Sequence, residues 1–360
     1  MNYFLEKVEK LNWRIFFIGF FIGIFAVSLI MAGVSIKKMI FPFFQKINSS
    51  GRENKVDIFK SIVPKLSKSK NTYSLKTLNK DFITRAYAQT SEIPALAYIA
   101  INFESGEVLE EKESLTKLPI ASLTKVMTAI VALDLASPEE LFTISNKAAK
   151  MPATKIGVVA GEKMTLKELL NATLLTSAND AAEAIKDGID SKYQSQVFIR
   201  AMNEKAKILA LENSSFSNSQ GFDNEENYST VENFAILSHY ALENYPLIAE
   251  IVKKDYEFLP SDNNHKQFDL YNWNGLLGVY PNVFGIKIGN TNDALFTTAV
   301  ASEREGKKVL AVLLGAPGVL ERDLWTSELL DRGFEKLGLS KIEISEDQLL
   351  QKYSTWRYWN

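Results

Sequence analysis

Pro119-Ile120-Ala121-Ser122-Leu123-Thr124-Lys125 leads into apolar residues at Val126, Met127, Ile130, Val131 and Leu133. Their three- and four-residue spacing predicts a helix over Leu123–Leu135. On a helix, residues three apart lie on nearly the same side, so the Ser122 hydroxyl and the Lys125 amine come within reach of one hydrogen bond. Ser122 also gains the helix N-terminus, whose free N–H groups and positive dipole end favour a developing oxyanion, its own N–H being one natural donor. For Lys125 to act as a base it must be neutral, and burial beside another cation is a route to that state. Alone, the spacing says little, because a serine cap followed one turn later by a solvent-facing lysine is common.

Two further stretches give it weight. Thr176-Ser177-Ala178-Asn179-Asp180 follows the apolar Leu169–Leu175 run and precedes a helix from Ala181, so Ser177 and Asn179 can both point into one cleft; by itself this is an ordinary helix cap. Gly285-Ile286-Lys287-Ile288-Gly289-Asn290-Thr291 reads as a strand, with glycine allowing a substrate backbone to approach and Lys287 supplying a fixed cation.

Outward from these, 95–102 and a segment from Val108 read as strands joined by a turn at Glu104–Glu107, and Val283–Gly289, Leu295–Ser302 and Lys308–Leu314 as three more. Between the two groups, Leu123–Leu135, Leu166–Ile185, Val197–Leu209 and Thr230–Leu242 carry helical spacing, and Leu324–Leu337 reads as a closing helix. The order predicts an α/β (mixed α+β) domain: an antiparallel sheet flanked by helices, with an inserted helical block and the serine at their junction.

The 360 residues are 46% hydrophobic and 23% charged, an ordinary mixture for a large core. With no cysteine and two histidines, disulfides and Cys-ligated zinc are excluded, metal chemistry is disfavoured, and a Ser-His-Asp triad is a poor fit. Residues 46–85 hold ten Lys or Arg against three Asp or Glu, leaving an acidic main body that argues against nucleic acid as partner. Ile15–Ile36 is uncharged and long enough to cross a membrane as a signal anchor. The expected organisation is a short cytoplasmic tail (1–14), a transmembrane helix (15–36), a basic stalk without a core (37–92), the catalytic domain (93–338) and a C-terminal tail (339–360). That implies a single-pass protein of the cell membrane with its catalytic domain on the extracytoplasmic side.

Together and in order, the three stretches resemble the S-x-x-K, S-x-N and K-T-G set of penicillin-binding proteins and β-lactamases. With Gly161-Glu162, Leu166–Leu170, Ala181-Ala182, Gly221-Phe222 and Tyr228–Thr230 added, the chain looks like a low-molecular-mass D-alanyl-D-alanine carboxypeptidase of peptidase family S11. The resemblance implies a serine peptidase acting on peptidoglycan stem peptides and acylated by β-lactams, with no cofactor. It implies that Ser122 attacks the D-Ala-D-Ala carbonyl and Lys125 moves the protons. It also implies that Ser177 and Asn179 shuttle protons and hold the substrate amide, that Lys287 acts electrostatically beside Gly289, that Asn290 offers the second oxyanion N–H, and that Arg322 binds the substrate carboxylate. Read by itself, Arg322 is also compatible with a surface helix residue.

Ile288 departs from the pattern, standing where the family has a threonine hydroxyl for the terminal carboxylate. Losing that bond costs about 1.5–3 kcal/mol, which leaves open an endopeptidase preference or a catalytically impaired wall-binding protein.

Overall fold

The computed structural model describes residues 58–67, 84–85 and 93–357. The expected anchor at 15–36 lies outside them; among the described residues no helix is long and apolar enough to cross a membrane. The strands are β1 (Thr84–Arg85), β2 (Ala97–Asn102), β3 (Glu107–Lys112), β4 (Leu118–Pro119), β5 (Leu141–Thr143), β6 (Lys163–Thr165), β7 (Tyr228–Ser229), β8 (Tyr256–Leu259), β9 (Phe268–Tyr271), β10 (Val283–Thr291), β11 (Leu295–Arg304) and β12 (Lys307–Ala316). The helices are α1 (Ile58–Leu66), α2 (Thr124–Leu135), α3 (Asn146–Ala149), α4 (Leu166–Leu174), α5 (Asn179–Lys192), α6 (Phe198–Ile208), α7 (Val231–Asn244), α8 (Pro246–Ile251), α9 (Val319–Lys336) and α10 (Glu346–Tyr353).

One six-stranded sheet, ordered β1-β3-β2-β12-β11-β10, organises the domain. Within β12, Val309–Leu314 carries no polar side chain because both faces of the sheet are covered. Strand alternation then assigns each residue to a layer. Leu310, Val312 and Leu314 join Ala97, Ile99 and Ile101 in the core shared with the helical block. Val309, Ala311 and Leu313 join Tyr98, Ala100 and, from α9, Leu329, Leu330 and Phe334 on the other side. The sheet is antiparallel as expected, except that β1 pairs parallel to β3. Strand β10 ends the order, so among the described residues the strand bearing Lys287 is an edge with one row of backbone groups free of a sheet partner.

Three expectations change. The predicted Leu166–Ile185 helix is two helices, α4 and α5, interrupted at Leu175–Ala178, where Ser177 adopts a left-handed φ of 59°. The break is held by Ala178 N–H on Ala172 O at 3.1 Å and Asn179 N–H on Thr154 O at 2.7 Å. The expected helix start at Leu123 is a 3-10 turn over Ala121–Leu123 that runs into α2.

The third concerns the stalk. The stalk was expected to lack a core, yet α1 buries Ile62 and Leu66 completely in the main core, and β1 extends the sheet. The Leu66 carbonyl accepts from Lys205 Nζ at 2.8 Å; this fully buried ammonium also pairs with Asp134 at 2.9 Å and donates to the Tyr240 and Tyr245 hydroxyls. In the tail, α10 buries Leu349 beside α9.

Because Ile62 is fully buried, Ile62→Ala should destabilise the domain by about 2–4 kcal/mol in urea denaturation; an unchanged midpoint would mean that α1 does not dock.

Candidate active site

Ser122 sits in the middle of the 3-10 turn, half-exposed, while Lys125 opens α2 and is fully buried. Their three-residue spacing gives the expected contact: Lys125 Nζ lies 2.8 Å from Ser122 Oγ. It also lies 2.8 Å from Asn179 Oδ1 and 2.7 Å from the Gln220 carbonyl, so three chain segments converge on one nitrogen. The turn itself is tightly placed. Ala121 has a φ of 49°, and a Cβ at Gly221, whose own φ is +91°, would stand 1.9 Å from Ala121 O; only glycine fits.

On the other side, β10 presses against Ser122. A Cβ at Gly289 would come within 2.7 Å of Ser122 N and 2.8 Å of Thr297 Oγ1, so the missing side chain lets the edge strand approach the serine backbone. Asn290 follows, exposed, and lines a cleft of about 620 Å³ with Thr176, Lys155, Trp273, Phe296 and Val319. The wall facing β10 is the 152–158 loop, which Asp180 fastens to α5. Its carboxylate accepts from the N–H groups of Ile156 (3.2 Å), Gly157 (2.8 Å) and Val158 (3.1 Å).

The electrostatics suit a basic Lys125. Burial holds its pKa well below the ordinary lysine value, the Lys287 charge lowers it further, and Asp180 opposes both. Lys287, also buried, is drawn down to about 7 by desolvation and by the Arg322 charge. Register explains the arrangement: Lys287 lies across from Ala299 on the helical-block face, and Ile288 across from Thr298 on the α9 face.

The residues expected from sequence therefore gather as follows. Ser122, Lys125 and Asn179 are in direct contact, with Gly289 against the Ser122 backbone. Ser177 is at the α4–α5 break and buried. Lys287 is held by its bond to Ile288 O at 3.0 Å and acts on Lys125 through its field. Arg322 is a buried residue, which excludes the surface-helix reading, and its Nε and Nη2 are bidentate to Asp323 at 2.8 and 2.9 Å. The sequence reading missed Gln220, whose contribution is a backbone carbonyl that any residue type supplies, and missed the loop clamp by Asp180, although Asp180 lies in a quoted stretch.

Replacing Lys287 by Met removes a positive charge that lowers the Lys125 pKa. The Lys125 pKa should rise, and the acid limb of Ser122 acylation by a β-lactam should move to higher pH in stopped-flow or mass measurements. A limb that stayed in place would mean that burial alone sets the base.

Comparison with known proteins agrees with this geometry. The family model described as D-alanyl-D-alanine carboxypeptidase matches residues 84–318. The D-alanyl-D-alanine carboxypeptidase DacF of Bacillus subtilis is 32% identical over 255 residues, covering 69% of this chain and 64% of the relative, so the chain spans somewhat less than two thirds of that protein. The Streptomyces K15 DD-transpeptidase crystal structure superposes with a TM-score of 0.64 at 26% identity, over 69% of this chain and all of that one. Penicillin-binding protein D2 of Listeria monocytogenes, in its ampicillin-bound form, gives 0.60 at 27% identity, over 68% of this chain and all of the other. A buried lysine on a helix-opening serine, completed by an asparagine and a lysine-bearing edge strand, is thus carried by a chain that belongs to the D-alanyl-D-alanine carboxypeptidase family of serine peptidases, peptidase family S11.

Proposed function

We propose that this protein is a serine D-Ala-D-Ala carboxypeptidase that acts on peptidoglycan stem peptides and is acylated by β-lactams. The observation that carries the reading is the 2.8 Å contact between Ser122 Oγ and the Nζ of a fully buried lysine whose pKa is depressed. Neutral Lys125 takes the hydroxyl proton as Ser122 Oγ attacks the carbonyl between the two D-alanines. The N–H groups of Ser122 and Asn290 hold the oxyanion. The proton passes to the departing D-alanine amine, with Ser177 as the intermediate hydroxyl, and water then hydrolyses the acyl-enzyme by the reverse transfers. The extended stem peptide lies along the free edge of β10, near Gly289, with Asn179 holding its amide. Lys287 and Arg322 supply the positive field for its carboxylate end. Residues 15–36 tether the enzyme to the cell membrane, with the catalytic domain on the extracytoplasmic side.

Incubating the full-length protein with benzylpenicillin should add the mass of one inhibitor at Ser122, and none to Ser122→Ala. No adduct on well-folded protein would remove the enzyme reading and favour a wall-binding protein.

A second reading, endopeptidase cleavage of crosslinks, is favoured by Ile288 alone. Its side chain faces the α9 layer, to which Arg322 belongs, and offers no hydroxyl to a free carboxylate. Restoring that donor with Ile288→Thr should raise D-alanine release from a pentapeptide about tenfold, as expected for one hydrogen bond to a charged group. Release already at a high rate in the unaltered protein, with no gain in the variant, would show that the hydroxyl is not needed here.

A further inference from the structure

We propose that Glu183, acting through Gln220, is a positioning residue that aims the lone pair of the Lys125 amine at Ser122. The inference rests on Ser122 and Lys125 being the nucleophile and base. A neutral amine has two N–H donors and one lone pair. Two of the three atoms around Lys125 Nζ, Asn179 Oδ1 at 2.8 Å and Gln220 O at 2.7 Å, are carbonyl oxygens that can only accept. When both take an N–H, the lone pair is left for the third neighbour, the Ser122 hydroxyl at 2.8 Å. If either carbonyl turns away, the amine is free to donate to Ser122 Oγ, and the hydroxyl proton is left without its acceptor. The base therefore depends on the direction of a main-chain carbonyl in the 217–222 loop.

That direction is imposed from α5. Glu183 stands four residues after Asn179, on the same helix face, and its buried carboxylate accepts from Gln220 Nε2. One helix face thus holds two of the three atoms around Nζ: Asn179 directly, Gln220 O through the Gln220 side chain. The neighbouring peptide groups are also held, Ser219 O by Thr128 Oγ1 at 2.8 Å and the Gly221 and Phe222 N–H groups by Asn218 Oδ1 at 2.6 and 3.0 Å. Burying a carboxylate is unfavourable unless it is paired. Lys147 supplies that pairing from the half-open surface and Lys186 stands 3.7 Å away. Around Lys125 itself the charges are Lys287 and Asp180, and none of these changes in the variants below.

The test measures benzylpenicillin acylation of full-length protein across pH, normalised to the sites that react. Glu183→Leu should lower the plateau rate about tenfold, the equivalent of one hydrogen bond. It should also move the acid limb to lower pH, because the Gln220 carbonyl stabilises the ammonium more than the amine. Gln220→Leu should reproduce both changes, while Glu183→Gln, whose amide oxygen still accepts from Gln220 Nε2, should keep most of the rate. A Glu183→Leu protein with an unchanged rate and limb overturns the proposal, even if fewer of its sites react. So does a Glu183→Gln protein as slow as Glu183→Leu. Failure of the unaltered protein to acylate at Ser122 would instead remove the nucleophile–base reading beneath it.

Discussion

A lysine nitrogen with no access to water, surrounded by a hydroxyl and two carbonyl oxygens, is the point on which this molecule turns. In water Lys125 would be an ammonium; in the core of α2 it lacks a carboxylate in direct contact and faces a second cation, so the neutral amine is favoured. The environment that favours the neutral amine has to be assembled from parts far apart in the chain, Asn179 and Gln220 being 54 and 95 residues away. The helical block between the two strand groups exists, in functional terms, to bring those parts to one nitrogen.

Placing them requires backbone conformations that regular elements do not provide. Ser177 interrupts what would be one long helix, and its left-handed turn lets Asn179 begin α5 with its side chain on Lys125. Ala121 and Gly221 meet so closely that a side chain on the glycine has no room, and Gly289 lets the edge strand press on Ser122 N from the other side. Non-glycine residues at positive φ are unfavourable, and they persist here because the surrounding hydrogen bonds determine them. Asp180, spanning three consecutive N–H groups of the 152–158 loop, ties the cleft wall to the same helix that supplies Asn179.

The cation series continues outward. Arg322 lowers Lys287, and Lys287 lowers Lys125, so charge on α9 is felt at the base through the sheet edge. Arg322 is tied to Asp323, whose carboxylate also accepts from the Tyr353 hydroxyl at 2.8 Å; the C-terminal helix thereby takes part in the electrostatics of the cleft.

The local chemistry was legible in the sequence because it depends on near neighbours. Ser122 and Lys125 are one helical turn apart whatever the fold, and the unbroken apolar run Val309–Leu314 specifies a strand buried on both faces. The order of strands and helices along the chain followed from the same short-range patterns. What only the tertiary structure decided was where separate segments meet. The stalk reading failed at Ile62 and Leu66 because a short amphipathic piece in a basic, polar stretch reveals nothing of the groove it fills. The sequence already began a new helix after Thr176–Asp180, but the left-handed turn at Ser177 was hidden, because one of the contacts that hold it, Asn179 N–H on the Thr154 carbonyl, comes from more than twenty residues away. Gln220 and Glu183 carry no signal at all until folding closes the loop on α5, since a main-chain carbonyl is the same in every residue and only its direction makes it part of the site.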